Sequence, residues 1–555
     1  MAAAIKRTAA IALAAGLTIS GSAGIVAAPL AGAQTTNTTT PAVATNVPDA
    51  STIGNDDVKL TINKRVNPTE LRNATGEADA AASGQPLAGV GFTAERLNVD
   101  ITKQSNFNEV AKFANDRDVD GAREKYGTEQ AVTLDDTDEA GKTTATLPVG
   151  AYIITETKAP ADQDGTYVPA EPFIVFLPMT NSEGTGWNRD VQVYPKNSYA
   201  KVTKTVTDEG KNARSNGQGK DGQPGFLGAR PEENAEVTYT LDGVVPAAPE
   251  NRVLNTLTLT DASKSEELQW GDDFIQGVYV VRNGEEVAID ADNYSVNKAA
   301  TVPTTNTEGL AAGANQAFTV TVNAQEAGLQ PGETVRVKVK ATMLGDDAAS
   351  KGIENSVRES FVFRNPSTDE DDEPKETPDD KVVTYVGNIS VHKRGDENAA
   401  LAGAEFRIGT CNADQTGIEG DAIQTGVTDA KGNLTFPGLH VTDYVNDAEV
   451  TDAAADYCVV ETRAPQGYVT PQGKDAVRAI ALTRTTANVL NAEGTAFDAA
   501  AAENVISNGA VIDNVRKTTP TLPSTGGMGV LVLALAGLAI IAGGVYAARR
   551  NSQSA

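Results

Sequence analysis

Histidine, cysteine and tryptophan occur only twice each in this 555-residue chain, and aromatic residues supply just 5% of it. The histidines, His392 and His440, stand near no nucleophile motif, which argues against histidine-based catalysis. With only Cys411 and Cys458, a C-x-x-C metal site is excluded. Positive charge is also short, with 46 basic residues against 74 acidic ones for a net charge of −28. Such a surface disfavours nucleic acid and anionic membranes and suits a solvated extracellular body. No convergent acid–base constellation, cofactor site or long ligand-binding insertion stands out. Long apolar runs are missing from the interior of the sequence and occur only near its two ends.

The C-terminal run is the more informative. Leu522-Pro523-Ser524-Thr525-Gly526 precedes an uncharged stretch, 529–548, which Arg549 and Arg550 close. About 20 residues at ~1.5 Å rise give roughly 30 Å, the thickness of a bilayer core. Two arginines after the span would hold the short tail in the cytoplasm. At the other end, Lys6 and Arg7 precede an apolar run to about Val26, and Ala31-Gly32-Ala33 offers small residues to a signal peptidase. The expectation is a signal peptide over 1–33 and a secreted chain starting at Gln34. Without 1–33 and 526–555, 42 basic and 74 acidic residues remain, a charge of −32. About 490 mature residues suggest three or so domains. In a secreted chain an isolated cysteine pair reads as a disulfide, here Cys411–Cys458. Its loop of about 48 residues would stabilise by roughly 4 kcal/mol in the chain-entropy model.

Between the ends the sequence repeats itself. Segments 59–64, 86–92, 138–147 and 152–160 return in the same order as 388–393, 400–406, 428–436 and 457–465. Two copies in one order mean two domains of one fold. Their short elements, alternating in polarity and punctuated by Gly, Pro and Asp, predict antiparallel β-sandwiches. The first copy carries an insert over 106–126 where Val110, Phe113 and Ala114 recur at helical spacing. Between the copies, strand candidates at 235–241, 278–281, 317–322 and 335–341 form a third β domain. The expected division is a leader at 34–50, domains at 51–197, 198–366 and 382–515, an acidic linker at 367–381, and a terminal segment at 522–555. The acidic run could attract calcium, but it lacks the D-x-D-x-D-G spacing.

Strand parity then puts charge on the apolar face. Leu60, Ile62 and Lys64 share a row, as do Val202, Lys204 and Val206, and Ile389, Val391 and Lys393. Glu156 follows Tyr152 and Ile154, and Glu461 follows Tyr457 and Val459. Asn197 aligns with Val191 and Val193, Asn355 with Ile353 and Val357, and Asn514 with Ile512. Burying Lys and Glu costs several kcal/mol each unless the charges are paired or suppressed. One arrangement removes the difficulty: a neutral lysine attacks the asparagine side-chain carbonyl, a protonated acid polarises it, and ammonia leaves as an isopeptide forms. That is maturation, once per domain, and not turnover. Taken singly, each site could equally be a strand-edge lysine reaching solvent or a simple ion pair.

A family resemblance favours the bond. The run from Leu522 to Arg550 resembles the cell-wall sorting signal of Gram-positive surface proteins, which implies sortase cleavage between Thr525 and Gly526. Tyr457-x-Val459-x-Glu461-Thr-x-Ala-Pro465-x-Gly467-Tyr468 resembles the E-box of Gram-positive pilins, and its domain the immunoglobulin-like B-type collagen-adhesin module. The first copy departs from the E-box after Pro160. The middle domain resembles the A-type module, where an aspartate replaces the glutamate. Asp261 is the candidate by position, and Asn365, on the same face as Phe361 and Phe363, rivals Asn355. Trp187-x-x-x-Val191-x-Val193-Tyr194-Pro195-Lys196 matches the pilin motif, which makes Lys196, expected to be exposed, the amine that sortase joins to Thr525 of another copy.

The resemblance therefore implies an all-β chain of three tandem immunoglobulin-like sandwiches acting as a shaft pilin of actinobacterial type. Internal bonds Lys64–Asn197, Lys204–Asn355 and Lys393–Asn514 are implied, promoted by Glu156, Asp261 and Glu461. The implied partners are identical subunits, a class C pilus sortase, a housekeeping sortase, tip and base pilins, and peptidoglycan, with the membrane touched only before sorting. No metal or cofactor is implied. A monomeric wall-anchored adhesin or minor pilin would share these features except the need for the pilin motif.

Overall fold

The structure, a computed structural model, describes residues 48–68, 75–160, 164–230, 232–249, 252–345, 352–451, 457–499, 505–518 and 528–551. The signal peptide, nearly all of the leader and the motif from Leu522 to Gly526 lie outside them. The chain is mostly β in its body and forms three successive sandwiches. In the first, Val58–Asn63 lies between the parallel strand Asp190–Val193 and the antiparallel strand Lys142–Leu147. Facing this sheet is a second one, Val132–Thr133, Gly91–Arg96, Gly150–Lys158 and Phe173–Leu177 in spatial order. Leu60, Ile62, Phe92, Ile154 and Phe176 fill the space between them. The third sandwich repeats the plan. The end of Asp380–Arg394 lies between Ser507–Asp513 and Asn433–His440, and Gln424–Val427, Glu405–Thr410, Tyr457–Arg463 and Val477–Ile480 face them.

The predicted insert is two helices, α1 (Gln104–Asp116) and α2 (Val119–Tyr126). Val110 is fully buried, and Phe113 packs edge-on to Tyr126 with ring centroids 6.1 Å apart. In the middle sandwich the four expected strands appear as Glu236–Val244, Ile275–Arg282, Gln316–Asn323 and Thr334–Met343. Its second sheet is built on Val253–Ser263 and Gly352–Asn365.

Both domain junctions are unbroken strands. Lys196–Thr207 begins against Arg65–Val66 and Gly165–Val168 of the first domain and from Val202 pairs with Glu236–Val244 of the middle one. Asp380–Arg394 pairs with Gly352–Asn365 as far as Tyr385 and enters the third domain at Val386.

The run read as an acidic linker, 367–381, packs along the middle domain. Glu370–Asp371 and Lys375–Glu376 pair back onto Gly352–Asn365. Its acids have arginine partners, which is why so acidic a run is ordered: Asp379 and Glu376 hold the buried Arg358 at 2.6 and 3.0 Å, and Asp372 holds Arg252 at 2.7 Å. Among the described residues no group of His, Cys, Asp or Glu is arranged to hold a metal ion.

Candidate functional sites

In the first and third domains the same local chemistry presents the lysine. A turn opened by Asp138, whose Oδ1 accepts the Lys142 amide at 2.8 Å, brings the Gly141 carbonyl to 2.6 Å from the Lys64 amide nitrogen. Asp429, Asn433, Gly432 and Lys393 repeat this at 2.8 and 2.7 Å. Both glycines have left-handed φ, +72° and +77°, and a Cβ on either would collide with the lysine's own carbonyl oxygen. The acid stands on the opposite sheet, beside a bulge in both copies, with Glu156 opposite Phe92 and Glu461 opposite Phe406. Neither glycine was singled out in the sequence, although the D-x-x-G spacing recurs in both copies.

The side chains converge across the sandwich. Lys64 Nζ is 2.6 Å from Glu156 Oε2, and Asn197 Nδ2 donates to Glu156 Oε1 at 2.7 Å. One carboxyl thus holds both the amine and the amide, with Lys64 and Asn197 at most 1% exposed. Burial pulls the Lys64 pKa down to about 8, against the pull of Glu156. In the third domain Lys393 Nζ is 3.5 Å from Glu461 Oε2, and Asn514 Nδ2 donates to Glu461 Oε1 at 2.6 Å. Burial lowers the lysine and raises the glutamate, so both shifts favour a neutral amine beside a protonated acid.

The middle domain brings Lys204 against Asp261 with both side chains fully buried. Asn355 lies two pairs along the ladder and reaches Asp261 at 3.5 Å. Lys204 also sits 5.1 Å over the Tyr239 ring. Burial again lowers the lysine and raises the acid. The rival Asn365 is at the far end of the same strand, where its Oδ1 accepts the Ser367 amide in a turn. It is not brought to Lys204.

Lys196 precedes Asn197 on the junction strand, and the two point apart as parity predicts. Asn197 enters the core while Lys196 opens into a cavity of about 1480 Å³ between the first two domains. The expected exposure of Lys196 is only partial. Loops of the middle domain wall the cavity, so Lys196 is half-buried and its pKa is lowered by that burial, opposed by Asp79. The Tyr194 hydroxyl of the same motif accepts the Asp79 amide at 2.7 Å. The motif's Trp187 donates to Thr52 at 2.9 Å and stacks edge-on with Phe107 of α1.

Cys411 and Cys458 form a disulfide, which ties the strand carrying Glu461 to the end of the neighbouring one. The uncharged C-terminal run forms a helix, α3 (Met528–Asn551). Its side chains are described mainly over 532–546, and among the described residues no helix is long and apolar enough to cross a membrane.

Known proteins share this architecture. Residues 55–198 match the N-terminal D1 domain of Gram-positive pilin subunits, and residues 387–489 match a prealbumin-like fold domain. The chain is 27% identical over 549 residues to the fimbrial subunit type 1 of Actinomyces viscosus, covering 91% of this chain and 92% of that one. It is 26% identical over 535 residues to the fimbrial subunit type 2 of Actinomyces naeslundii, covering 87% of each. The full-length major pilin SpaD from Corynebacterium diphtheriae superposes with a TM-score of 0.61 at 24% identity, over 84% of this chain and all of that chain.

Proposed function

We propose, since this chain is a Gram-positive pilin and a subunit of the pilus shaft, that a class C sortase joins its copies covalently. The sortase thiolate attacks the Thr525 carbonyl, the Thr525–Gly526 bond breaks, and a thioester forms. The neutral Lys196 amine of another copy then attacks the thioester, an amide forms, and the thiol is released. Burial of Lys196 supports this role because it raises the fraction of free amine. Joining Thr525 of one copy to Lys196 of the next is a heterologous contact that does not close, so it yields a fibre. A housekeeping sortase would attach the base to peptidoglycan, with tip and base pilins at the ends and the 529–548 run serving as a membrane anchor before sorting.

Within each subunit, Lys64–Asn197, Lys204–Asn355 and Lys393–Asn514 close as isopeptides. The amine nitrogen bonds to the asparagine carbonyl carbon, the acid passes a proton to the side-chain nitrogen, and ammonia leaves. The observation that carries this reading is the carboxyl held between amine and amide in the first and third domains. Load entering at Lys196 would pass along one strand to Lys204 and through the second and third domains. In cells carrying Lys196→Arg, the subunit should be secreted and folded but the high-mass ladder of wall extracts should vanish, because arginine keeps the charge without offering an acyl acceptor. A ladder of normal length would overturn the assignment.

A further inference from the structure

After the middle domain's opening strand ends at Thr207, the segment 208–230 crosses to the third domain before the chain returns at Glu236, keeping one hold on the middle domain where the Arg214 amide donates to the Met343 carbonyl at 2.7 Å. Seven of its residues from Gly210 to Gly228 are glycine or proline, the composition of a surface loop. It folds as a hairpin closed by reciprocal backbone bonds between Gln218 and Leu227, at 2.7 and 2.8 Å. One arm runs beside Gln424–Val427, the edge strand of the third domain. The Val427 amide donates to the Phe226 carbonyl at 2.7 Å, the Gly225 amide to the Val427 carbonyl at 3.1 Å, and the Gly228 amide to the Thr425 carbonyl at 2.8 Å. Leu227 seats on the third domain's core, over Gly426, where a Cβ would come within 3.3 Å of it.

Arg230 pins the two arms. It is 3% exposed, and its guanidinium donates to four neutral oxygens: the Ala213 carbonyl of its own hairpin, and the Gly438 carbonyl, Gln424 Oε1 and Pro437 carbonyl of the third domain, the last three at 3.3, 3.0 and 2.9 Å. A guanidinium so buried is tolerable only while all those acceptors stay in place. At the root of the hairpin, Asp208 and Asn446 exchange bonds of 2.9 and 2.7 Å, and Thr384 donates to Asp208 at 2.5 Å.

We propose that 208–230 is an internal donor strand, by which the middle domain covers the open sheet edge of the third and the two become one cooperative unit. An open edge presents unpaired backbone groups to any neighbouring chain, so the clasp also keeps the third domain from pairing with other copies. The inference rests on this backbone pairing and on the seating of Leu227 and Arg230, and is independent of sortase and of the isopeptides.

Hydrogen–deuterium exchange on the secreted full chain tests it, comparing wild type with Leu227→Asp and Arg230→Met. In wild type the Gly225, Gly228 and Val427 amides should be protected like core strands. In both variants they should exchange faster by about tenfold or more, while Glu236–Val244 stays protected. Loss of protection throughout the third domain with the middle domain intact would support the coupling further. Wild-type amides at these positions that exchange like an exposed loop would overturn the proposal, as would variants that leave them protected. Should Leu227→Asp unfold both domains, Arg230→Met decides on the same criteria.

Discussion

Glu461 is the residue on which the third domain's chemistry turns, because it is the only acid that meets both Lys393 and Asn514 among the described residues. Glu461→Ala should leave the third domain one ammonia heavier, about 17 Da from the amine-on-amide stoichiometry. Lys393 would then stay a buried free amine, unbonded to Asn514 and without its acid, and the domain would lose the covalent link between its first and last strands, becoming more protease-sensitive. Intact mass and limited proteolysis read the two effects separately. A second buried acid has no such role. Glu359 in the middle domain is fully buried, and neither of its oxygens has a well-formed hydrogen bond. Burial raises its pKa well above the usual 4.5. A carboxyl whose folded pKa is raised contributes stability that is full below its unfolded pKa and lost as pH rises through the folded one. Glu359→Gln should therefore raise the middle domain's melting temperature at pH 8 and change it little at pH 4. Equal shifts at both pH values would show that ionisation is not the cause.

The strands bearing Lys64, Lys204 and Lys393 were legible because period-two alternation places a charge visibly among Leu, Ile and Val. The unbroken junction strands were not. A strand that changes sheets keeps its alternation, as Val202, Lys204 and Val206 do, so nothing marks where one domain ends. The run 367–381 misled for a related reason, since its charge suggested solvent while its partners, Arg358, Arg252 and Arg364, are distant or inconspicuous in the chain. The hairpin at 208–230 was invisible because its glycines specify turns and its partner strand lies about 200 residues further on. At this scale the disulfide makes a prediction. In the chain-entropy model its loop of 47 residues of separation contributes roughly 4 kcal/mol, but the proposed isopeptide from Lys393 to Asn514 would already enclose that loop. Replacing both cysteines by alanine should therefore cost the third domain less in wild type than in the Glu461→Ala background, as read by its thermal transition. Equal costs would mean that no outer loop is closed.

Over the whole molecule, the sites fall in a line along the chain: Lys196 and Asn197 at the first junction, Lys204 eight residues on in the same strand, and Lys393 at the end of the strand that crosses the second. A shaft subunit built this way needs no flexible joint between Lys196, where the proposed mechanism attaches a neighbour, and the third domain. The geometry around Lys196 also argues for selectivity, since the first two domains together form its cavity and the motif residue Tyr194 lines it while its hydroxyl holds the Asp79 amide. The most direct test is tandem mass spectrometry of the polymer released from cell walls by muralytic digestion and cut with protease. The account predicts a branched peptide in which the Thr525 carbonyl is bonded to Lys196 Nζ, present once per joint and missing from monomer. Joints made through a different lysine, or a polymer that yields no branched peptide at Thr525, would contradict it.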